Sequence, residues 1–153
     1  MKTLYIIRGL PGSGKSTLGE KLADTYSHQA PYSMNVHSYA ADDWFTDRDG
    51  VYNFVPQELP QAHEDCRARV LGAMLSDVKN IAVCNTFTQA WEAEPYFKLC
   101  DMHGYTPVVI ECQNQFSNTH DCPQEKIDEM ADRWDSREDF MYQLKDFKSV
   151  AHS

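Results

Sequence analysis

The stretch Gly9-Leu10-Pro11-Gly12-Ser13-Gly14-Lys15-Ser16 constrains this chain more than any other, because it fits G-x-x-x-x-G-K-[ST] at every fixed position. The glycines allow a tight turn whose backbone N–H groups point inward, and the helix expected after it adds the positive end of its dipole, so the loop is a nest for phosphate. Such a loop needs a strand before it and a helix after it. Leu4-Tyr5-Ile6-Ile7 is a continuous apolar run suited to a strand buried on both faces. From Lys15 onward, Leu18, Leu22 and Tyr26 recur every four residues on one helical face. The expected ATP-binding set is therefore Gly9, Pro11, Gly12, Ser13, Gly14, Lys15, Ser16 and Thr17. Lys15 would reach the β- and γ-phosphates, and the Ser16 hydroxyl would bind Mg²⁺.

The remaining patterns alternate in the same way. Val36 to Ala40 reads as a second strand, ended by Asp42-Asp43. A long helix over about Pro60 to Ser76 carries Ala62, Cys66, Val70 and Met74 on one face, and Ile81 to Cys84 is a third strand. A helix starting near Pro95 places Tyr96, Leu99, Cys100 and His103 together and stops at Gly104, and Tyr105 to Ile110 is the fourth strand. The last helix has Pro123 in its first turn and Ile127, Met130, Ala131 and Trp134 as its inner face. Strands alternating with helices predict an α/β fold, a three-layer phosphate-loop architecture with a parallel sheet of about four to five strands flanked by helices.

At 153 residues the chain fits one domain over 1–153, with no repeat or linker tract to divide it. The net charge of −9 excludes an extensive surface for duplex nucleic acid, since such a surface carries a basic face. No apolar run approaches a membrane span, and Leu4 to Ile7 is too short for a signal-peptide core. The five cysteines are odd in number and widely spaced, so neither a disulfide frame nor a zinc site is expected, and a reduced cytoplasm is the simplest setting.

A phosphate loop alone does not separate a kinase from a motor or a switch. The acidic pair after the second strand carries more. The carboxyl ends of parallel strands converge on the ligand, and there Asp42 could take the proton of an attacking hydroxyl, alongside Lys15 in the catalytic set. The plainer alternative is that Asp42 and Asp43 cap a short helix.

The blocks R-G-L-P-G-S-G-K-S-T, A-D-D-W-F, N-T-F-T-Q-A-W-E and R-W-D, spread over roughly Met1 to Asp135, resemble the phage-type polynucleotide 5′-kinases and the small ATPase-like domains related to them. The resemblance implies that Asp42 is the general base and that Lys15 and Ser16 carry the family's loop roles. Three positions depart from that pattern. The third strand ends in Cys84-Asn85-Thr86 where the family presents an Asp, which leaves Asn85 and Thr86 to orient the acceptor. The lid region, about 112–123, has no Lys or Arg, so His120 and Arg133 are the candidates facing the nucleotide, Arg133 alternatively pairing with Glu129 on the surface. Phe45 stands where an Arg would meet a substrate phosphate. Trp44 and Phe45 either stack a base or fill the core, and Arg48, with Arg67 and Arg69, supplies the nearest cations. About 136–153 reads as a C-terminal tail. The function implied is ATP-dependent transfer of the γ-phosphate to a hydroxyl acceptor, a 5′-OH of a polynucleotide or nucleoside. A small hydroxylated metabolite, or an ATP-binding regulator with weak catalysis, remains the alternative.

Overall fold

Strand β1 (Thr3–Gly9) is buried nearly throughout, as its apolar run Leu4 to Ile7 leads one to expect of a strand covered on both faces. The computed structural model describes residues 1–25, 36–113 and 122–151. Four strands form one parallel sheet in the order β2-β3-β1-β4, with β2 at Ser38–Tyr39, β3 at Asn80–Asn85 and β4 at Thr106–Cys112. Leu4 pairs with Ile81 on one side and Pro107 on the other, and Ile6 with Val83 and Val109.

The pleat divides these residues between two cores. Leu4, Ile6, Ile81 and Val83 face the larger one, under helices α2 (Leu59–Leu75) and α3 (Ala90–His103). Ile7, Ala82 and Cys84 face the smaller one, under α1 (Lys15–Leu22), whose Leu18 and Leu22 pack there. Right-handed crossovers explain the arrangement: the step from β1 to β2 runs one way along the sheet and those from β2 to β3 and β3 to β4 run back, so α1 lies on the face opposite α2 and α3. This is the predicted α/β sheet flanked by helices. Among the described residues no helix is long and apolar enough to cross a membrane.

Several boundaries differ from the sequence reading. Strand β2 is two residues rather than the expected Val36 to Ala40. The Ala40 amide donates to the Asp43 carboxylate and the Ala41 amide to Asn85 Oδ1, which draws the chain off the ladder into a 3₁₀ turn at Ala41–Phe45. Helix α3 begins at Ala90, a turn before Pro95, because the carboxylate of the distant Asp135 accepts from the Ala90 amide and caps it. Helix α4 (Gln124–Asp132) starts just after Pro123, but its Ile127 and Met130 are only half-buried, Ala131 is exposed and Trp134 lies beyond its end. The segment read as a tail forms α5 (Arg137–Gln143) and α6 (Lys148–Ala151), with Phe140 and Leu144 fully buried in the larger core. Tyr26 lies outside the described residues.

Gly19 is required where α1 meets β3. A Cβ there would lie 2.5 Å from Ser38 Oγ and 2.6 Å from Cys84 Sγ. Gly19→Ala should therefore destabilise by about 1–3 kcal/mol despite the better helix propensity of Ala, because overpacking outweighs the gain of under about 1 kcal/mol. Denaturant titration checks this, and an unchanged or raised midpoint would contradict it.

Candidate active site

The loop leaving β1 adopts the form its glycines demand. Gly12 and Gly14 have φ of 82° and 91°, in the left-handed region, and Gly14 caps α1. A Cβ on Gly9 would collide with Ser13 Oγ and lie 2.9 Å from the Cys112 carbonyl oxygen, so the loop rests directly against the end of β4. Lys15 folds back over it, Nζ donating to the carbonyls of Gly9 at 2.7 Å and Leu10 at 3.1 Å. Burial lowers the Lys15 ammonium from its ordinary range, while the Cys84, Asp42 and Cys112 side chains act in the opposite sense. Ser13 Oγ is buried with no hydrogen-bond partner. Ser16 and Thr17, in the first turn of α1, are exposed.

This cradle fits a polyphosphate. It combines left-handed glycines at a helix N-terminus, a backbone too close to β4 for a side chain at Gly9, an orphan hydroxyl and a lysine held on carbonyls that an anion can outbid. For Mg²⁺ the fit is with one protein hydroxyl, Ser16, plus phosphate oxygens and water, the coordination this ion favours. Among the described residues no group of three or more His, Cys, Asp or Glu side chains is arranged to hold a metal by itself.

The 3₁₀ turn holds Asp42 near enough to Lys15 for the two charges to interact. Asp42 is exposed and its Oδ1 accepts from the Tyr52 hydroxyl at 3.2 Å. Desolvation and the Asp42 charge raise the Tyr52 phenol, so it remains a donor. Tyr52 did not stand out in the sequence. The clue is the short hairpin it forms through the Thr46–Tyr52 bridge around the turn at Gly50. Asp43 serves locally, accepting from the Ala40 amide at 3.0 Å and pairing with Arg69 at 3.2 Å.

Asn85, at the end of β3, accepts the Ala41 amide on Oδ1 at 2.9 Å and so pins the turn that carries Asp42. The Thr86 carbonyl accepts the Gly9 amide at 3.3 Å. Phe45 belongs to a small core with Ala41 and Ala62, and is not a stacking surface. Trp44 is exposed, its Nε1 donating to Glu58 at 2.9 Å. Arg48 sits exposed in the hairpin turn, which Asp47 caps by accepting from the Asp49 and Val51 amides. Arg133 does not pair with Glu129, which meets Lys126 at 3.5 Å; its Nε donates to Thr88 Oγ1 at 3.2 Å. His120 and residues 114–121 of the lid region lie outside the described residues.

The residue that sequence reading passed over is Arg8, fully buried on β1 immediately before the loop. Its guanidinium donates to the carbonyls of Phe87, Thr88 and Asp135, pairs with Glu111 at 2.7 Å, and lies 4.0 Å and 3.9 Å from the ring centroids of Trp134 and Phe140. The available signal was a lone cation at the end of an apolar strand.

Burial also separates the cysteines into two classes. It pushes Cys66 up to about 11 and Cys84 and Cys100 up to about 12, and all three are buried, whereas Cys112 and Cys122 are half-exposed. At pH 8 a maleimide should modify Cys112 and Cys122 first in the native protein. Peptide mapping by mass spectrometry checks the order, and early labelling of Cys84 would contradict it.

No protein-family model matches the chain. Human NEDD4-binding protein 2 is 32% identical over 140 residues, covering 86% of this chain. The chain spans 8% of that protein's length. The 2′,3′-cyclic-nucleotide 3′-phosphodiesterase of Pongo abelii is 29% identical over 114 residues, which is 72% of this chain and 24% of the relative. Among solved structures, a Chloroflexus aurantiacus protein provisionally described as a kinase superposes with a TM-score of 0.51 at 19% identity, over 72% of this chain and 59% of that one. At that identity the likeness concerns the fold alone.

Proposed function

We propose that residues 1–153 form one unit that transfers the γ-phosphate of ATP to a hydroxyl acceptor, the 5′-OH of a polynucleotide or nucleoside. The observation that carries the reading is Asp42, oriented by Tyr52 and near enough to Lys15 of the phosphate loop for the two charges to interact. A carboxylate poised beside a phosphate cradle suits proton removal from an attacking hydroxyl, a demand that nucleotide binding alone does not make. The name of the 2′,3′-cyclic-nucleotide relative and the kinase description of the fold neighbour support nucleotide chemistry of this class.

In this reading the amides of Gly9 to Lys15 and the Lys15 ammonium hold the β- and γ-phosphates, with Lys15 turning from the Gly9 and Leu10 carbonyls to do so. Bound ATP supplies the phosphoryl group, and Mg²⁺, met by Ser16, neutralises part of its charge. Asp42 accepts the acceptor's proton as its oxygen bonds to the γ-phosphorus and ADP departs. Asn85 keeps the Asp42 turn in place and Thr86 fixes the loop from the side, and Arg133 would turn from Thr88 to meet the phosphates.

The second reading is an ATP-binding regulator. It is favoured by Cys84, whose thiol, where a kinase presents a carboxylate, donates to the Lys15 carbonyl at 3.5 Å. One assay divides the two. ADP release from ATP is measured alone and with 5′-OH oligonucleotides, nucleosides and small alcohols, and transfer is followed with γ-labelled ATP. Acceptor-dependent labelling of a 5′-OH is expected. ATP binding without stimulation by any acceptor would establish the regulator instead.

A further inference from the structure

We infer that Phe54 is the platform on which the acceptor's terminal base stacks, so that the 5′-OH reaches Asp42 through aromatic contact rather than through a grip on phosphate. The inference rests on the phosphotransfer reading above and assigns the acceptor end of that site. The leg of the hairpin that leads to Val55 is extended, and its side chains alternate. Val51, Asn53 and Val55 line a hollow with Trp44 and Glu58. Tyr52 and Phe54 take the other face, on which the Tyr52 hydroxyl donates to Asp42 Oδ1 at 3.2 Å. The Thr46–Tyr52 bridge and the Asn53 amide, donating to the Phe45 carbonyl at 2.8 Å, fix this register.

The rings on that face form an ordered set. Tyr52 and Phe54 lie within 6° of parallel with their centroids 6.4 Å apart, and Phe45 meets each edge-on, at 6.2 and 5.0 Å. Their exposures differ. Phe45 is 6% exposed, whereas Phe54 is 45% exposed. Trp44 is about as open, but it belongs to the opposite hollow and its Nε1 donates to Glu58. Phe54 is therefore the ring of this set that is open to solvent on the side of Asp42. Tyr52 bridges the two, its hydroxyl on the carboxylate and its ring parallel to Phe54. A base stacked on Phe54 extends that set.

The charges nearby favour a base over a phosphate. Arg69 pairs with Asp43 at 3.2 Å, Arg48 stands exposed in the hairpin turn, and Arg67 lines a groove between α2 and α3 with Lys98 and Leu99. The Asp42 carboxylate itself repels an anion and leaves a neutral ring unaffected. Every nucleobase presents a π face, so stacking holds an acceptor without charge and with little preference among bases. A small aliphatic alcohol has no such face and is passed over.

The test reads acceptor affinity by calorimetry with the phosphate loop saturated by a non-hydrolysable ATP analogue, so that added nucleosides meet only the acceptor end. Adenosine, adenosine 3′-monophosphate and ribose are the probes. Adenosine should bind and ribose should not, and the 3′-phosphate should improve affinity by less than about threefold, since no phosphate grip is engaged. Phe54→Leu keeps an apolar side chain but loses the π face, and should weaken adenosine by about tenfold, whereas Phe54→Trp should stay within about threefold of the natural chain. Affinity for the ATP analogue should not change in either. No adenosine binding, ribose binding as well as adenosine, a gain of tenfold or more from the 3′-phosphate, no loss in Phe54→Leu, or the same loss in Trp44→Leu would each overturn the inference. The three probes compared on the natural chain need no variant, so the proposal stays testable if Phe54→Leu does not fold. Binding needs no turnover. A protein that stacks adenosine on Phe54 yet transfers no phosphate would refute the kinase reading and leave this inference standing, and transfer to adenosine that ignores Phe54→Leu would do the reverse.

Discussion

Asp42→Asn should lower acceptor-dependent phosphoryl transfer by about 10³-fold, within the range that a positioned general base contributes, while ATP affinity stays within about threefold. The substitution is well suited to isolate proton removal. An asparagine carbonyl oxygen can still accept the Tyr52 hydroxyl bond, and the backbone carbonyl of residue 42 still accepts from Thr46 Oγ1, so the turn keeps its shape. What is lost is the basic lone pair, together with the negative charge that acts on Lys15 and Tyr52. Lys15→Ala differs in kind, since it removes a cation from the cradle and should weaken both binding and transfer. Tyr52→Phe removes one hydrogen bond but retains the ring contacts with Phe45 and Phe54, and its effect should be smaller, about tenfold at most. Single-turnover transfer of labelled phosphate together with ATP titration separates these cases. Transfer by Asp42→Asn within tenfold of the natural chain would take Asp42 out of the chemistry.

The parts of this arrangement that were legible in the sequence are those fixed by local physics. A loop whose conformation demands glycines announces itself, as does the apolar run of β1, because a strand covered on both faces leaves few alternatives. The face of α2 was visible for the same reason: Ala62, Cys66, Val70 and Met74 are all buried. The misplaced features depend on partners distant in sequence. Helix α3 begins at Ala90 because of Asp135, forty-five residues on. Strand β2 ends early because Asn85 captures the Ala41 amide. The inner face expected for α4 fails because Trp134 packs on a guanidinium rather than on the sheet. Phe140 and Leu144 were missed because α5 is only seven residues long, too short to display a periodic stripe, although both are fully buried. In the site, Asp42 could be found from its place after a strand, whereas Tyr52 and Arg8 act through contacts that no spacing rule encodes.

Arg8→Met should cost about 3–5 kcal/mol, a large share of the roughly 5–15 kcal/mol by which a domain of this kind is stable. Methionine fills much of the slot between Trp134 and Phe140, so lost packing is a minor part of the loss. The larger part is electrostatic. Glu111, with a side chain only 11% exposed, would retain its charge without a counterion, and the Phe87 and Asp135 carbonyls would lose the donor they share. Thr88 is less affected, since its carbonyl also accepts from the Asp135 amide. It follows that the charge, rather than the cavity, dominates, and that removing the second charge should recover stability. Arg8→Met with Glu111→Gln should regain about 1–2 kcal/mol over Arg8→Met alone, because a neutral amide is far less costly to bury than an unpaired carboxylate. Urea unfolding of the two variants measures the difference. A double variant no more stable than Arg8→Met would mean that Glu111 reaches water on its own, and that Arg8 serves the fold through its carbonyl and ring contacts rather than through its charge.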